Sequence, residues 1–185
     1  KLLAVSDAQN WIALYNAHDG QVVRGNWPSV ERVWSLTFSP DSSLLVESGW
    51  SADVRVWNLA QPTATPQLLG HPLSTWDAKF SPDGGVLAIA CSDRQVHLWD
   101  ARTWQPMRVL RGHFNEVWAL AWQPDGRLLS AGRDARLLRD VVCHRRGRSL
   151  KAVSRPARVS PRDAADIPPN DTISNPPSPR SSEED

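Results

Sequence analysis

The chain has 185 residues, of which 41% are hydrophobic and 22% charged, and its formal net charge is +1. A charge balance this close to neutral argues against a protein that holds nucleic acid or a membrane surface through bulk charge. The two cysteines, Cys91 and Cys143, are too few for a disulfide scaffold and lack metal-ligand spacing, and no apolar run reaches the ~18 residues that would span a membrane.

The first 25 residues resemble the last part of a repeating unit. Residues 2–5 predict the end of one strand and residues 11–15 predict the next, and Asp19-Gly20 is a hairpin signal that leads to a further strand near 21–24. The first residues, 1–5, lack the long apolar region of a signal peptide and do not begin with Met. Because it begins inside a strand, we expect Lys1 to be a cut through a longer protein.

The first complete unit begins near Val33. Apolar residues predict strands at 33–38, 44–48 and 53–57, with a short strand at 67–69. Two prolines within 61–66 suit neither a strand nor a helix interior, so this stretch is predicted to be a surface connection.

The second unit, from Trp76, is the best preserved. Trp76, Ala78 and Phe80 alternate with polar residues, which predicts a strand with one buried face. The Ser-Pro-Asp-Gly sequence at 81–84 predicts a tight turn in which Gly84 supplies a positive φ. Further strands are predicted at 86–91, 95–99 and 106–110.

The third unit begins well and then loses its pattern. Strands are predicted at 117–122 and 128–130, but the Trp expected within 137–140 is absent, and we expect no fourth strand to follow. From Val141 onward there is no Trp, although the chain has ten, and seven of its 15 prolines lie there. We therefore expect 141–185 to be a disordered tail rich in Pro, Arg and Ser, either genuine or the product of a frame change.

A 42-residue step relates these units. The step separates Trp34, Trp76 and Trp118; it separates Tyr15, Trp57 and Trp99; and it separates the Gly-His pairs at 70–71 and 112–113. A period of ~40–45 residues with Gly-His and Trp-Asp signatures is typical of propeller blades. The chain thus resembles the WD-repeat (WD40) β-propeller family over residues 1–140.

The resemblance implies an all-β fold, a partial WD40-type propeller of about three four-stranded antiparallel blades. The divisions are a blade remnant at 1–29, blades at about 30–70 and 71–111, and an incomplete blade at 112–140. A closed ring has typically ~4–8 blades. We therefore expect the ring not to close and further blades, in cis or in trans, to be required.

The family also carries a buried polar network in each blade. It links the Gly-His histidine, a Ser or Thr of the second strand, an Asp of the next turn and the Trp of the third strand. The matching residues are His71, Asp93 and Trp99 in the second unit, His113, Ser130 and Asp134 in the third, and Trp57 in the first. Elsewhere Ile89, Ser29, Glu47 and Ser51 occupy the network positions, so each set is incomplete and we expect its sheet to be weakened.

Similar domains bind partners through the loops at one face. By resemblance, the loops before the first strands contribute Ser74, Thr75, Phe114, Asn115 and Glu116, and those between the second and third strands contribute Trp50, Arg94 and Arg133. Trp50 and Trp104 fall outside the regular alternation, and each could contact a partner or cover a neighbouring blade.

These observations favour a non-catalytic scaffold that binds a protein or peptide, with no cofactor, no metal, no catalytic residue, no nucleic acid and no membrane. The absence of a signal peptide favours the cytoplasm. Two alternatives stay open. The blades could be the sensory or docking module of a larger enzyme, such as a protein kinase, whose catalytic domain lies upstream of Lys1, or the chain could be a degenerate, truncated remnant.

Overall fold

The computed structural model describes residues 1–29, 31–61, 65–135, 137–141 and 155–156. Within them the fold is all-β, and no helix is long and apolar enough to cross a membrane. The first sheet contains β1 (Leu2–Ser6), β2 (Trp11–Asn16) and β3 (Val22–Pro28), and the second contains β4 (Val33–Phe38), β5 (Leu44–Gly49), β6 (Asp53–Asn58) and β7 (Gln67–Gly70). The third contains β8 (Thr75–Phe80), β9 (Val86–Cys91), β10 (Val96–Asp100) and β11 (Pro106–Leu110), and the fourth contains β12 (Val117–Trp122), β13 (Arg127–Gly132), β14 (Leu137–Val141) and β15 (Arg155–Pro156).

Each sheet is an antiparallel meander whose strands follow chain order. The all-β prediction is confirmed, and the described strands form four separate sheets rather than one closed sheet. The prediction that no fourth strand follows β14 is wrong, since Arg155 pairs with Arg139 and Pro156 with Leu138. Val141, the first residue of the segment predicted to be disordered, ends β14. Residues 142–154 and 157–185 of that segment lie outside the described residues.

One apolar cluster lies at each junction between neighbouring sheets. The first joins Ile12, Leu14 and Trp27 to Leu45 and Trp57, and the rings of Trp27 and Trp57 are 4.5 Å apart, edge to face. The second joins Val46, Val54, Val56 and Leu69 to Ala78, Phe80, Leu87 and Ile89. The third joins Val86, Ala88, Ala90, Val96, Leu98 and Leu110 to Val117, Leu120 and Leu128.

The strand β9 explains why the sheets must stack. All six of its residues are buried. Successive side chains of a strand point to opposite faces, so Leu87 and Ile89 enter the second cluster while Val86, Ala88 and Ala90 enter the third. An isolated third sheet would expose both faces of this strand to water.

A buried carboxylate, that of Asp77, ties three sheets together. Its Oδ1 accepts a hydrogen bond from Ser35 Oγ in β4 at 2.8 Å, and its Oδ2 accepts one from the backbone N–H of Leu120 in β12 at 3.0 Å. The ammonium of Lys79 lies 2.8 Å from Oδ1. These partners compensate for burying the charge.

Two further hydrogen bonds cross the same junctions. The hydroxyl of Thr37 donates to the carbonyl of Ala78 at 2.7 Å, and the indole N–H of Trp122 donates to the carbonyl of Lys79 at 3.0 Å. The leading strands β4, β8 and β12 are therefore held in a fixed relative register.

The turns between first and second strands use a left-handed residue at one position. Gly84 has φ 69° and Gly126 has φ 82°, which confirms the turn prediction at 81–84. In the second sheet Ser42 occupies this position with φ 61°. A residue with a Cβ is strained there, whereas glycine is not.

A second kind of glycine allows a close approach of two backbones. A Cβ added to Gly49, the last residue of β5, would lie 2.1 Å from the carbonyl oxygen of Arg32. At Gly132, the equivalent end of β13, it would lie 2.7 Å from the carbonyl oxygen of Glu116. Because the nearest obstacle at each glycine is a backbone atom of the neighbouring segment, neither position has room for a side chain.

We predict that Gly49→Ala destabilises the chain by about 1–3 kcal/mol, the usual cost of overpacking, because the strand must move away from Arg32. Gly70→Ala is the matched control, since its nearest contact would be an ordinary 3.7 Å from Asp53 Oδ1. Urea unfolding of both variants measures the difference, and equal midpoints would contradict the prediction.

Candidate functional site

A β-bulge opens each leading strand, and a tryptophan is the extra residue in all of them. Between β4 and β5 the pairing steps from Val33 to Ser35 while the partner strand advances by one residue, which leaves Trp34 unpaired. The same step occurs at Trp76 in β8 and at Trp118 in β12. A bulge redirects the side chain that it carries.

The bulges place these indoles side by side with Trp50, and we call the four the tryptophan row. Ring centroids are 6.4 Å apart between Trp50 and Trp34, 5.5 Å between Trp34 and Trp76, and 6.3 Å between Trp76 and Trp118. The exposed fractions are 56% for Trp50, 45% for Trp34 and 47% for Trp118. The row is therefore a continuous aromatic surface that spans three sheets.

Polar neighbours hold the row in place. The indole N–H of Trp76 donates to Ser92 Oγ at 2.8 Å, and that of Trp118 donates to Glu116 Oε2 at 3.2 Å. The guanidinium of Arg32 lies 5.8 Å from the ring centroid of Trp34 and 5.4 Å from that of Trp50, within cation–π range.

Most residues of the predicted partner face are accessible. Trp50, Arg94, Phe114, Asn115 and Arg133 are exposed, and Ser74 and Glu116 are partly exposed. Thr75 is fully buried. Its hydroxyl donates to the carbonyl of Gly49 at 3.4 Å and accepts from the Gly49 N–H at 3.3 Å, so its prediction as a partner contact is wrong.

The structure separates the tryptophans by their exposure. Regular alternation would place Trp34 against a neighbouring blade with Leu36 and Phe38, but only Leu36 and Phe38 pack against the first cluster. Trp50 is exposed, whereas Trp104 packs, partly buried, against the second cluster.

In the third sheet, the predicted network forms only in part. The indole N–H of Trp99 donates to His71 Nε2 at 3.1 Å, while His71 Nδ1–H donates to the carbonyl of Leu69 at 2.8 Å. Burial, followed by the nearby His97, lowers the pKa of His71 to about 4. His71 is therefore neutral at pH 7, in the tautomer that can accept from Trp99.

Asp93, implied as a partner of His71, pairs with a different histidine. Its Oδ2 lies 2.8 Å from His97 Nε2, and its Oδ1 accepts from the N–H of Gln95 at 3.0 Å. His97 was not among the predicted network residues, although it lies two residues before Trp99 on the same face of β10. Because His71 Nδ1 already bonds to the backbone carbonyl of Leu69, the Asp93 carboxylate is available to His97.

The fourth sheet brings its three implied residues together. His113 Nδ1–H donates to Asp134 Oδ1 at 3.0 Å, and His113 Nε2 lies 3.0 Å from Ser130 Oγ. The other carboxylate oxygen of Asp134 accepts from the N–H of Phe114 at 2.7 Å. This set anchors the loop that presents Phe114.

The second sheet builds a substitute network around a buried glutamate. Glu47 Oε2 accepts from the indole N–H of Trp57 at 3.2 Å, and Oε1 lies 3.0 Å from Arg55 Nη1. The hydroxyl of Ser29 also donates to Oε1. Glu47 is therefore fully partnered, contrary to the expectation that this sheet retains only Trp57.

The turn after β9 collects a thiol, a carboxylate and an imidazole. Cys91, Asp93 and His97 each place one ligand atom within 4.8 Å of the others. The expectation that the chain lacks metal-ligand spacing overlooked this set, which lies within residues 91–97 and converges because the chain turns between β9 and β10.

Comparison with known families agrees with this geometry. The family model described as WD domain, G-beta repeat matches residues 12–58, 61–100 and 104–138. A search of curated proteins finds no match to the chain.

The low pKa of His71 predicts a dependence of stability on pH. Its pKa is 6.5 ordinarily and about 4 in the folded chain, so the unfolded chain binds more protons between these values. Stability is then full above pH 6.5 and falls by about 3 kcal/mol as the pH drops to 4. Urea unfolding across this range measures the fall, and His71→Gln should reduce it.

His18→Gln provides the control, since His18 lies exposed on the β2–β3 turn. An unchanged pH slope in His71→Gln would contradict the assignment to His71.

Proposed function

The chain belongs to the WD40 repeat family, and from that premise we propose that it is a non-catalytic module that docks a protein or peptide partner on the tryptophan row. Repeats of this family form protein-interaction scaffolds. The alignment of the row along three sheets is the observation that carries the proposal.

The exposure of the row argues for binding rather than folding. Half-exposed indoles in contact with one another form an apolar patch of the kind that marks interaction sites. Tryptophan and arginine are the residue types most enriched at energetic hot spots of interfaces. The row contains four tryptophans and has Arg32 stacked beside two of them.

The rim of the row is polar and carries both charges. Glu116 and Arg133 lie beside Trp118, with Glu116 Oε2 3.9 Å from Arg133 Nη1. Asn115 and Arg94 are exposed on the same set of loops. An apolar centre with a polar rim is the usual anatomy of a protein interface.

Both end sheets keep an apolar face uncovered, and further blades, in cis or in trans, cover these faces. On the first sheet, Leu3, Val5, Trp11 and Val22 are exposed. On the fourth sheet, Ala119, Ala121 and Leu137 are exposed. The buried junctions between the described sheets show how much apolar contact a further blade would supply.

We predict that peptides selected from a random phage-display library on the full chain bind through the row. Trp34→Ala and Trp118→Ala should each weaken binding by about 30-fold, which corresponds to the ~2 kcal/mol typical of a tryptophan hot spot. Fluorescence anisotropy of labelled peptides gives the dissociation constants.

Trp11→Ala is the matched control for this test. Trp11 is exposed to a similar extent, 42%, but lies on the first sheet outside the row. Peptides that bind Trp34→Ala and Trp118→Ala as tightly as the unmodified chain would place the binding surface elsewhere.

The uncovered first sheet predicts self-association of the isolated chain. Val22→Lys and Leu3→Lys should lower the average mass seen in sedimentation equilibrium at high protein concentration, because a charge opposes burial of this face. Leu68→Lys, on the exposed outer strand β7, should leave the association unchanged. The need for further blades would be contradicted if the unmodified chain stayed monomeric at every concentration and unfolded in one sharp cooperative thermal transition.

A further inference from the structure

The turn that joins β9 to β10 carries three side chains with different metal-binding atoms. The Sγ of Cys91, a carboxylate oxygen of Asp93 and a ring nitrogen of His97 lie within 4.8 Å of one another. Sulfur, nitrogen and oxygen ligands in one tetrahedral set are typical of zinc.

The equivalent positions of the neighbouring sheets show that the blade fold does not require a thiol at position 91. Cys91 pairs with Thr75 just as Gly49 pairs with Val33 and Gly132 with Val117. A Cβ at either glycine would collide with backbone. The third sheet alone of the three makes room for a side chain at this position, and the side chain is a thiol.

The imidazole is also particular to the third sheet. His97 pairs with Ile89, in the register where Arg55 pairs with Glu47 and Leu138 with Ser130. Cys91 and His97 thus occur in the same sheet, and Asp93 lies between them in the sequence. The Sγ of Cys91 lies 3.5 Å from the carbonyl oxygen of Leu73, a contact that zinc binding would replace.

Existing contacts already orient two of the three ligands. The N–H of Gln95 holds Asp93 Oδ1 at 3.0 Å, which leaves Oδ2 directed at His97. Such outer hydrogen bonds fix the ligands of metal sites. The side chains of Asp93 and His97 are 10% and 15% exposed, so an ion can enter from solvent.

We propose that Cys91, Asp93 and His97 form a zinc-binding site, with water as the fourth ligand. Zinc bonds of ~2.0–2.3 Å place neighbouring ligand atoms about 3.5 Å apart. The three ligand atoms now lie within 4.8 Å of one another, so the most widely separated pair must close by about 1 Å as the ion binds. His71 is not a fourth ligand, since Leu69 and Trp99 occupy both of its nitrogens.

Zinc binding here displaces the thiol proton of Cys91. Cysteine binds zinc as the thiolate, so the Sγ–H proton leaves to solvent as the Zn–S bond forms. Coordination through Nε2 requires the ring N–H of His97 to be on Nδ1, and the ion then replaces the hydrogen bond between Nε2 and Asp93 Oδ2. The ion would also stabilise the turn that contains Ser92, the partner of Trp76 in the tryptophan row.

The test is metal binding to the full chain with Cys143→Ser, which leaves Cys91 as the only thiol. We expect one equivalent of Zn²⁺ after equilibrium dialysis, and Co²⁺ in its place should show a thiolate-to-cobalt charge-transfer band. Adding Cys91→Ala should abolish the band. His97→Gln and Asp93→Asn should each raise the dissociation constant at least ~10-fold, the least that losing even a supporting residue costs such sites.

Variants in the fourth sheet provide the matched control. His113→Gln alters a histidine–aspartate pair that has no thiol beside it, and it should leave Zn²⁺ binding unchanged. Because Cys91 is fully buried and its replacement can unfold the sheet, circular dichroism accompanies each measurement, and the partly exposed Asp93 and His97 carry the test by themselves. Absence of bound Zn²⁺, or binding that survives His97→Gln and Asp93→Asn, would overturn the proposal.

Discussion

The carboxylate of Asp77 is the contact on which the stacking of the sheets depends. It is a buried charge that no single sheet could satisfy, because its partners come from β4, β8 and β12. Removing any of them would leave the charge partly unpaired, which is far costlier than losing an ordinary hydrogen bond. Apolar burial drives the sheets together without direction, and Asp77, together with the hydrogen bonds of Thr37 and Trp122, sets their register. The regular spacing of the tryptophan row follows from that register.

The fold was largely predictable from the sequence, because its determinants repeat. Alternation predicted the strands β8 and β10, a continuous apolar run predicted β9, and Gly84 marked a turn that needs a positive φ. The bulges were not predictable. Trp34, Leu36 and Phe38 read as one unbroken face, and only the pairing with β5 reveals that Trp34 is an extra residue. A bulge is a property of two strands, so the alternation within one strand cannot indicate it.

The hydrogen-bond partners of side chains in the candidate sites were likewise not predictable from the sequence. Matching residues by position indicated an incomplete network around Trp57, yet Glu47 reaches its indole N–H and Arg55 as well. A glutamate is longer than the serine or threonine it replaces and can accept several hydrogen bonds. In the third sheet a backbone carbonyl, which no residue pattern reveals, takes the place of Asp93 beside His71. Composition predicted which groups are polar, but their partners depend on reach and geometry.

Because one bulge opens each leading strand, the length of the aromatic surface is proportional to the number of blades. Duplication of a single 42-residue unit in the gene would append one more indole at the same spacing, and deletion would subtract one. A change in copy number would therefore alter the extent of this aromatic surface without altering any existing contact. The number of bulged indoles therefore follows the number of repeats.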